Sequence, residues 1–209
     1  VIVGIAAFTL LARPLAVATG LSLIGTPLRE GLRTGLMAGT IGEFSFIIAQ
    51  LGVAYVPESM GIFSDLTVRD NMLLAARTAR DVAALDKGRL DWIFSLFPAL
   101  HKFWLYPAGK LSGGQKQMLA VARAIVEPRS LILIDEPSKG LAPAIIHNLI
   151  AAFRELKRQQ TTILLVEQNF MMAKTLGDSV AVMDDGRVVH AGRMAELADN
   201  EAMQQRLLG

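Results

Sequence analysis

The hydrophobic pattern divides the chain in two. Residues 1–26 are almost wholly apolar, with Arg13 as their one charge, and residues 34–54 repeat the pattern with Glu43 as theirs. A bilayer core is spanned by about 20 such residues, and a helix on a soluble surface would carry a polar face. The pattern therefore predicts a two-helix transmembrane hairpin over residues 1–54, joined by Pro27-Leu28-Arg29-Glu30-Gly31-Leu32-Arg33. Two buried helices of a soluble protein are the competing reading.

From residue 55 the apolar runs shorten and acquire punctuation. Val68, Met72, Leu73 and Ala76 form a helical stripe behind Thr67 and Asp70, a variant capping box. Ser112 with Gln115 is a capping box opening a helix predicted to run to about Glu127, before Pro128. Leu131–Ile134 and Thr162–Val166 are continuous apolar runs, predicted to be buried parallel strands. Pro143 suits the first turn of a helix, Asn169 a helix cap and Gly177 a helix stop. Asp184-Asp185-Gly186 predicts a hairpin turn between Val180–Met183 and Arg187–Ala191.

Composition sharpens this division into domains at 1–54 and 55–209. The first 54 residues hold five charges, and the rest hold 18 of the 21 Lys+Arg and 17 of the 19 Asp+Glu. Each part is net +1, so nothing in the charge suggests a nucleic-acid patch. The absence of cysteine excludes a disulfide framework and thiolate metal sites. His101, His147 and His190 stand at no metal-ligand spacing, and His190, on the predicted hairpin, is expected to face solvent. Arg13 is mid-span, where a charge costs about 2.5–3.5 kcal/mol on insertion scales. It either faces a polar path or snorkels past a helix broken at Pro14.

Two sequences carry chemistry. Ser112-Gly113-Gly114-Gln115 places free N–H groups and a positive dipole end at a helix start, a ready anion site. Asp135-Glu136 ends an apolar strand 23 residues after Ser112. No G-x-x-x-x-G-K-[ST] phosphate loop occurs in the 209 residues.

Tyr55-Val56-Pro57-Glu58, Leu111–Gln115, Leu131–Glu136, Ser138–Ala142 and Glu167-Gln168-Asn169, in that order, resemble the LivF-type ATPase subunit of branched-chain amino acid ABC importers. Urea-type importer ATPases are similar. The resemblance runs from about Gly52 to Gly209. It implies an α/β fold, an incomplete P-loop NTPase of RecA-like type with a helical subdomain. It implies ATP and Mg²⁺ as cofactors. Asp135 would hold Mg²⁺ through water and Glu136 would polarise the attacking water. Gln168 stands where many relatives have a γ-phosphate-contacting histidine, and Glu58 where most have the Q-loop glutamine. Ser112, Gly113, Gly114 and Gln115 would cover the γ-phosphate held by a second ATPase subunit, while Ser138, Lys139, Gly140 and Leu141 match the D-loop. Permease subunits are the other implied partners, with the ATPase on the cytoplasmic side of a bacterial inner membrane.

Residues Thr26–Leu36 and Gly42–Phe46 resemble a fragment of Kef-type cation/proton antiporters, which implies lipid contact by residues 1–54. The family's ion-binding acidic helix is not in the sequence. Gln50–Ala54 continues either family, so the junction suggests a chimera. The Arg29/Arg33 loop, taken as cytoplasmic, would put residues 55–209 on the opposite face.

Three functions remain open. One is a truncated importer ATPase inactive alone. The second is a membrane-tethered partner lending Ser112–Gln115 to an intact ATPase. The third is an antiporter fragment. In the ATPase family, the resemblance implies, the Walker B strand packs beside the phosphate-loop strand. Leu131–Ile134 is therefore expected to lack a neighbour.

Overall fold

The computed structural model describes residues 52–76, 79 and 81–208. The predicted hairpin, with Arg13 and Glu43, lies outside them apart from residues 52–54. Those three correct its boundary: β1 spans Val53–Val56, so the apolar run ends in a strand, not a helix. Residues Ala54–Gly209 form one compact unit. Among the described residues no helix is long and apolar enough to cross a membrane.

A three-stranded sheet, in the order β1-β2-β3, positions the chemistry. Strand β2 is Leu131–Asp135 and β3 is Thr162–Val166, paired in parallel with Leu131 opposite Thr162 and Asp135 opposite Val166. Strand β2 thus has a neighbour on each side. The expected vacant edge beside it is absent, because β1 and β3 occupy both positions. Strand β3 departs from its predicted burial: Thr162, Leu164 and Val166 are exposed and Ile163 and Leu165 half-buried. An apolar run fits a strand packed on two faces equally with one packed on a single face, so pattern alone did not separate them.

Helix α1 (Val68–Ala75) begins where Thr67 Oγ1 accepts the Asp70 N–H at 3.1 Å, and it buries Val68, Asn71 and Met72. Asn71 is fully buried, and its amide is satisfied by Phe63 and Thr67 backbone groups at 2.9–3.0 Å. It staples the preceding loop. Helices α2 (Lys87–Leu96) and α3 (Pro98–Lys102) follow, then α4 (Gly113–Ala124). Helix α4 stops short of the predicted Glu127. Ile125 caps it, and the chain bends at Val126 and Glu127 ahead of Pro128, whose ring disfavours helix in the residue before it.

Helix α5 (Pro143–Arg158) starts on Pro143 and buries Leu149, Ala152, Phe153 and Leu156 in the core. Helix α6 (Phe170–Leu176) is capped by Asn169 and ended by Gly177. The hairpin forms as predicted, β4 (Ser179–Asp184) against β5 (Arg187–Arg193), turning at Asp185 and Gly186, whose φ angles are 45° and 72°. His190 on β5 is half-buried with Nε2 shielded from solvent, against the expected solvent-facing ring. Helices α7 (Met194–Ala198) and α8 (Glu201–Leu208) close the unit.

Candidate functional site

The loops after β1, β2 and β3 meet at one edge of the sheet. Glu136, the first residue after β2, has φ 43°. A non-glycine residue there costs about 1–3 kcal/mol and persists only where its surroundings over-determine it. Here the Glu136 N–H donates to Val166 O at 2.9 Å, which extends the β2–β3 ladder by one bond. The Glu136 carboxylate accepts from Gln168 Nε2 at 2.5 Å and lies 3.3 Å from Lys139 Nζ. Lys139 also reaches Glu58 Oε1 at 2.6 Å. Residues from three loops therefore form one chain: Glu58, Lys139, Glu136, Gln168.

The charges respond accordingly. The Gln168 hydrogen bond, then Lys139, holds the Glu136 carboxyl below the ordinary carboxylate value. The Glu58 and then the Glu136 hydrogen bond raises the Lys139 ammonium above its ordinary value. Tyr55 OH donates to Asp135 Oδ2 at 3.4 Å, and its phenol is raised by desolvation and then by the Asp135 charge. Glu167 accepts two backbone N–H groups, from Ser138 at 2.8 Å and Asn169 at 2.9 Å.

Two of these residues escaped the sequence reading as contributors. Tyr55 was named only within the Tyr55-Val56-Pro57-Glu58 motif, with no role of its own. Glu167 had the same signal as Asp135, an acid ending an apolar run, but no role was assigned to it. Lys139 was placed in its loop without its bridge between two glutamates. In the same loop Gly140 takes φ 69°, a Cβ there would meet nothing within 4 Å, and Leu141 packs half-buried on the core.

The second predicted motif forms at the start of α4. Ser112 Oγ accepts the Gln115 N–H at 3.3 Å, and Gln115 Oε1 accepts the Ser112 N–H at 3.0 Å. Its glycines differ. A Cβ on Gly113 would meet nothing within 4 Å, whereas one on Gly114 would sit 2.9 Å from Ile145 Cγ1 and Cγ2. Gly113 leaves an open approach; Gly114 lets α5 pack against α4. No hydrogen bond or ion pair among the described residues joins Ser112–Gln115 to the Glu136 cluster.

The donor set fits Mg²⁺ in one respect. Asp135 offers a carboxylate at a strand end, and Mg²⁺ is commonly held by one or two carboxylates together with substrate phosphates. Among the described residues no three acidic or histidine side chains form a metal cage. Glu58 and Glu136 are engaged by Lys139. Asp135 is therefore the residue that would hold the ion.

The comparisons with known proteins fall in one group. Residues 43–139 match the model of the ABC transporter family. A high-affinity branched-chain amino acid transport ATP-binding protein, BraG of Pseudomonas aeruginosa, is 37% identical over 170 residues, 81% of this chain and 72% of the relative. A probable branched-chain amino acid transport ATP-binding protein, LivF of Archaeoglobus fulgidus, is 35% identical over 77% of this chain and 67% of its own length. A methionine import ATP-binding protein, MetN of Thermobifida fusca, is 33% identical over 71% of this chain and 46% of its own. Among solved structures, a nucleotide-free ATP-binding cassette from an ABC transporter aligns with TM-score 0.59 at 20% identity, covering 78% of this chain and 70% of that one. The cbiO1 protein of Clostridium perfringens, part of the cbiONQ transporter complex, aligns with TM-score 0.62 at 22% identity, covering 83% and 65%. Both share the fold.

These matches reach to both sides of residue 54. The 170 residues similar to BraG outnumber the 155 that follow residue 54 (209 less 54), so the similarity crosses the expected junction. The family match begins at residue 43, within the segment read as antiporter-like. None of these relatives is an antiporter, and they lend the chimera no support.

Proposed function

The chain belongs to the ABC transporter family of ATP-binding proteins, and on that premise we propose that it is the ATP-binding subunit of an importer for branched-chain or related amino acids. The observation that carries this reading is the Glu58–Lys139–Glu136–Gln168 chain at the sheet edge, in a protein whose α4 starts with an open anion-binding turn. Higher identity to the two branched-chain relatives than to the methionine relative supports the substrate class. The partners would be permease subunits and a second ATP-binding subunit, on the cytoplasmic face of a membrane. Any lipid contact would fall to residues 1–54.

The residues divide the chemistry. Ser112 and Gln115 close the turn on each other, and the Gly113 and Gly114 N–H groups at the helix start would receive the γ-phosphate of a nucleotide held by the second subunit. Mg²⁺, held by Asp135 through water, would neutralise charge developing on the phosphates. Glu136, ionised through Gln168 and Lys139, would accept a hydrogen bond from the attacking water. Gln168 can donate to that water or to phosphate but cannot become a cation. Ser138–Leu141 would carry contacts to the second subunit.

The sequence holds no phosphate loop, and phosphoryl transfer depends on the positioning and charge that loop supplies. We propose that this chain hydrolyses no ATP by itself and completes a site on an intact subunit. Two measurements test this: Mg-ATP hydrolysis by the chain alone, and its ATP-dependent co-purification with an intact LivF-type subunit. Hydrolysis by the isolated chain, or failure to co-purify with and without ATP, would overturn the reading.

A further inference from the structure

Glu167 has no part in the chemistry above, yet its carboxylate spans the two loops that carry it. One oxygen accepts the Ser138 N–H at 2.8 Å, from the loop after Glu136. The other accepts the Asn169 N–H at 2.9 Å, next to Gln168. Ser138 is 8% exposed, so its N–H has little access to water as an alternative partner. Glu136 lies between two anchors: its own N–H bonds Val166 O at 2.9 Å, and two residues on Ser138 is held by Glu167. That is the over-determination a left-handed glutamate requires.

We propose that Glu167 is a positioning residue: it locks the loop after β2 to the loop after β3, so that the Gln168 amide meets the Glu136 carboxylate. The proposal rests on the reading of Glu136 as the water-polarising group, but its test uses no nucleotide. Each N–H here meets its own carboxylate oxygen, an arrangement that needs two acceptor oxygens and no donor at the end of the side chain. Glutamine keeps the length and supplies one acceptor, turning an amide NH₂ toward the other N–H.

The test is amide exchange and side-chain NMR on the ¹⁵N-labelled full chain, wild type against Glu167→Gln. We expect the Ser138 or Asn169 amide to exchange about tenfold faster or more, the scale of one charge-assisted bond lost. The Gln168 side-chain NH₂ resonances should move while the α5 amides of Leu149 and Phe153 keep their protection. Unchanged exchange at both amides, or an unmoved Gln168 signal, overturns the proposal. Uniform acceleration through α5 also overturns it, because Glu167 would then serve only the fold. If Glu167→Gln does not fold, the wild type decides alone. Ser138 and Asn169 amides with protection within about tenfold of each other support the lock, whereas one of them unprotected refutes it. Loss of the proposed nucleotide chemistry would leave this result untouched.

Discussion

One methyl group separates the roles of the two glycines in the α4 turn. Gly114→Ala places a Cβ 2.9 Å from Ile145 Cγ1 and Cγ2 and 3.1 Å from Cδ1. Ile145 is branched at Cβ, so χ1 in a helix has one strongly preferred setting and both γ carbons cannot swing clear. Helix α5 is also pinned by fully buried Leu149, Phe153 and Leu156, so relief must come from shifting its first turn. Overpacking of this kind costs about 1–3 kcal/mol, and alanine returns up to about 1 kcal/mol of helix propensity. The net loss for Gly114→Ala is about 1–2 kcal/mol. Gly113→Ala meets open space and gains about 0.5 kcal/mol from the same propensity.

The gap between the variants is therefore about 2 kcal/mol. At a urea slope of about 2 kcal/mol/M, their unfolding midpoints should differ by about 1 M, with wild type between them. A Gly114→Ala midpoint at or above wild type refutes the packing argument. Function should show the opposite order. Gly113→Ala puts its methyl on the open approach, so ATP-dependent association with an intact subunit should weaken at full stability. Wild-type association by Gly113→Ala would remove the phosphate from that approach.

Three further outcomes follow from the same geometry. Phe153→Ala, emptying a fully buried α5 position, should cost about 3–5 kcal/mol in urea unfolding, and a loss under 1 kcal/mol would show that the core around α5 is loose. Gln160 follows the cap of α5 with φ 59°, the position glycine favours. Gln160→Gly should therefore stabilise by about 0.5–1 kcal/mol, and destabilisation would refute that reading of the cap. The Glu136 carboxyl is depressed in the folded state, first by Gln168 and then by Lys139. Its contribution is thus full above the ordinary value of 4.5 and is lost as pH falls through the lower folded value. Between pH 5 and 2 the wild-type urea midpoint should fall more steeply than that of Gln168→Ala, and equal slopes would refute the coupling.

What could be read from the sequence was what the chain decides within a few residues. The capping boxes at Thr67 and Ser112 close over three residues. The turn at Asp185-Gly186 needs only its own left-handed pair. Strands β2 and β3 follow from apolar runs, and β3 matches its predicted span. The end of the apolar run at residues 53–54 was misread because a strand and a membrane helix share the same composition there, and length was the sole discriminator. Burial on the second face of β3 was equally illegible, since apolar side chains say that a strand can be covered and not what covers it.

The site depended on a longer range of information. Its bonds join residues 29, 32 and 81 positions apart: Ser138 to Glu167, Glu136 to Gln168, and Glu58 to Lys139. No local rule pairs them. Once the strand order β1-β2-β3 is known, they follow, because β1 and β3 flank β2 and the chain leaves the parallel pair β2 and β3 at the same edge. The same order explains why a strained residue is tolerated at Glu136. The ladder supplies its backbone partner at Val166, and the neighbouring loop supplies Glu167 and Gln168. Within the folded unit the strain at Glu136 is met by contacts of the protein itself. The Glu136 carboxylate is therefore held in place by the ladder, Gln168 and Lys139 alone.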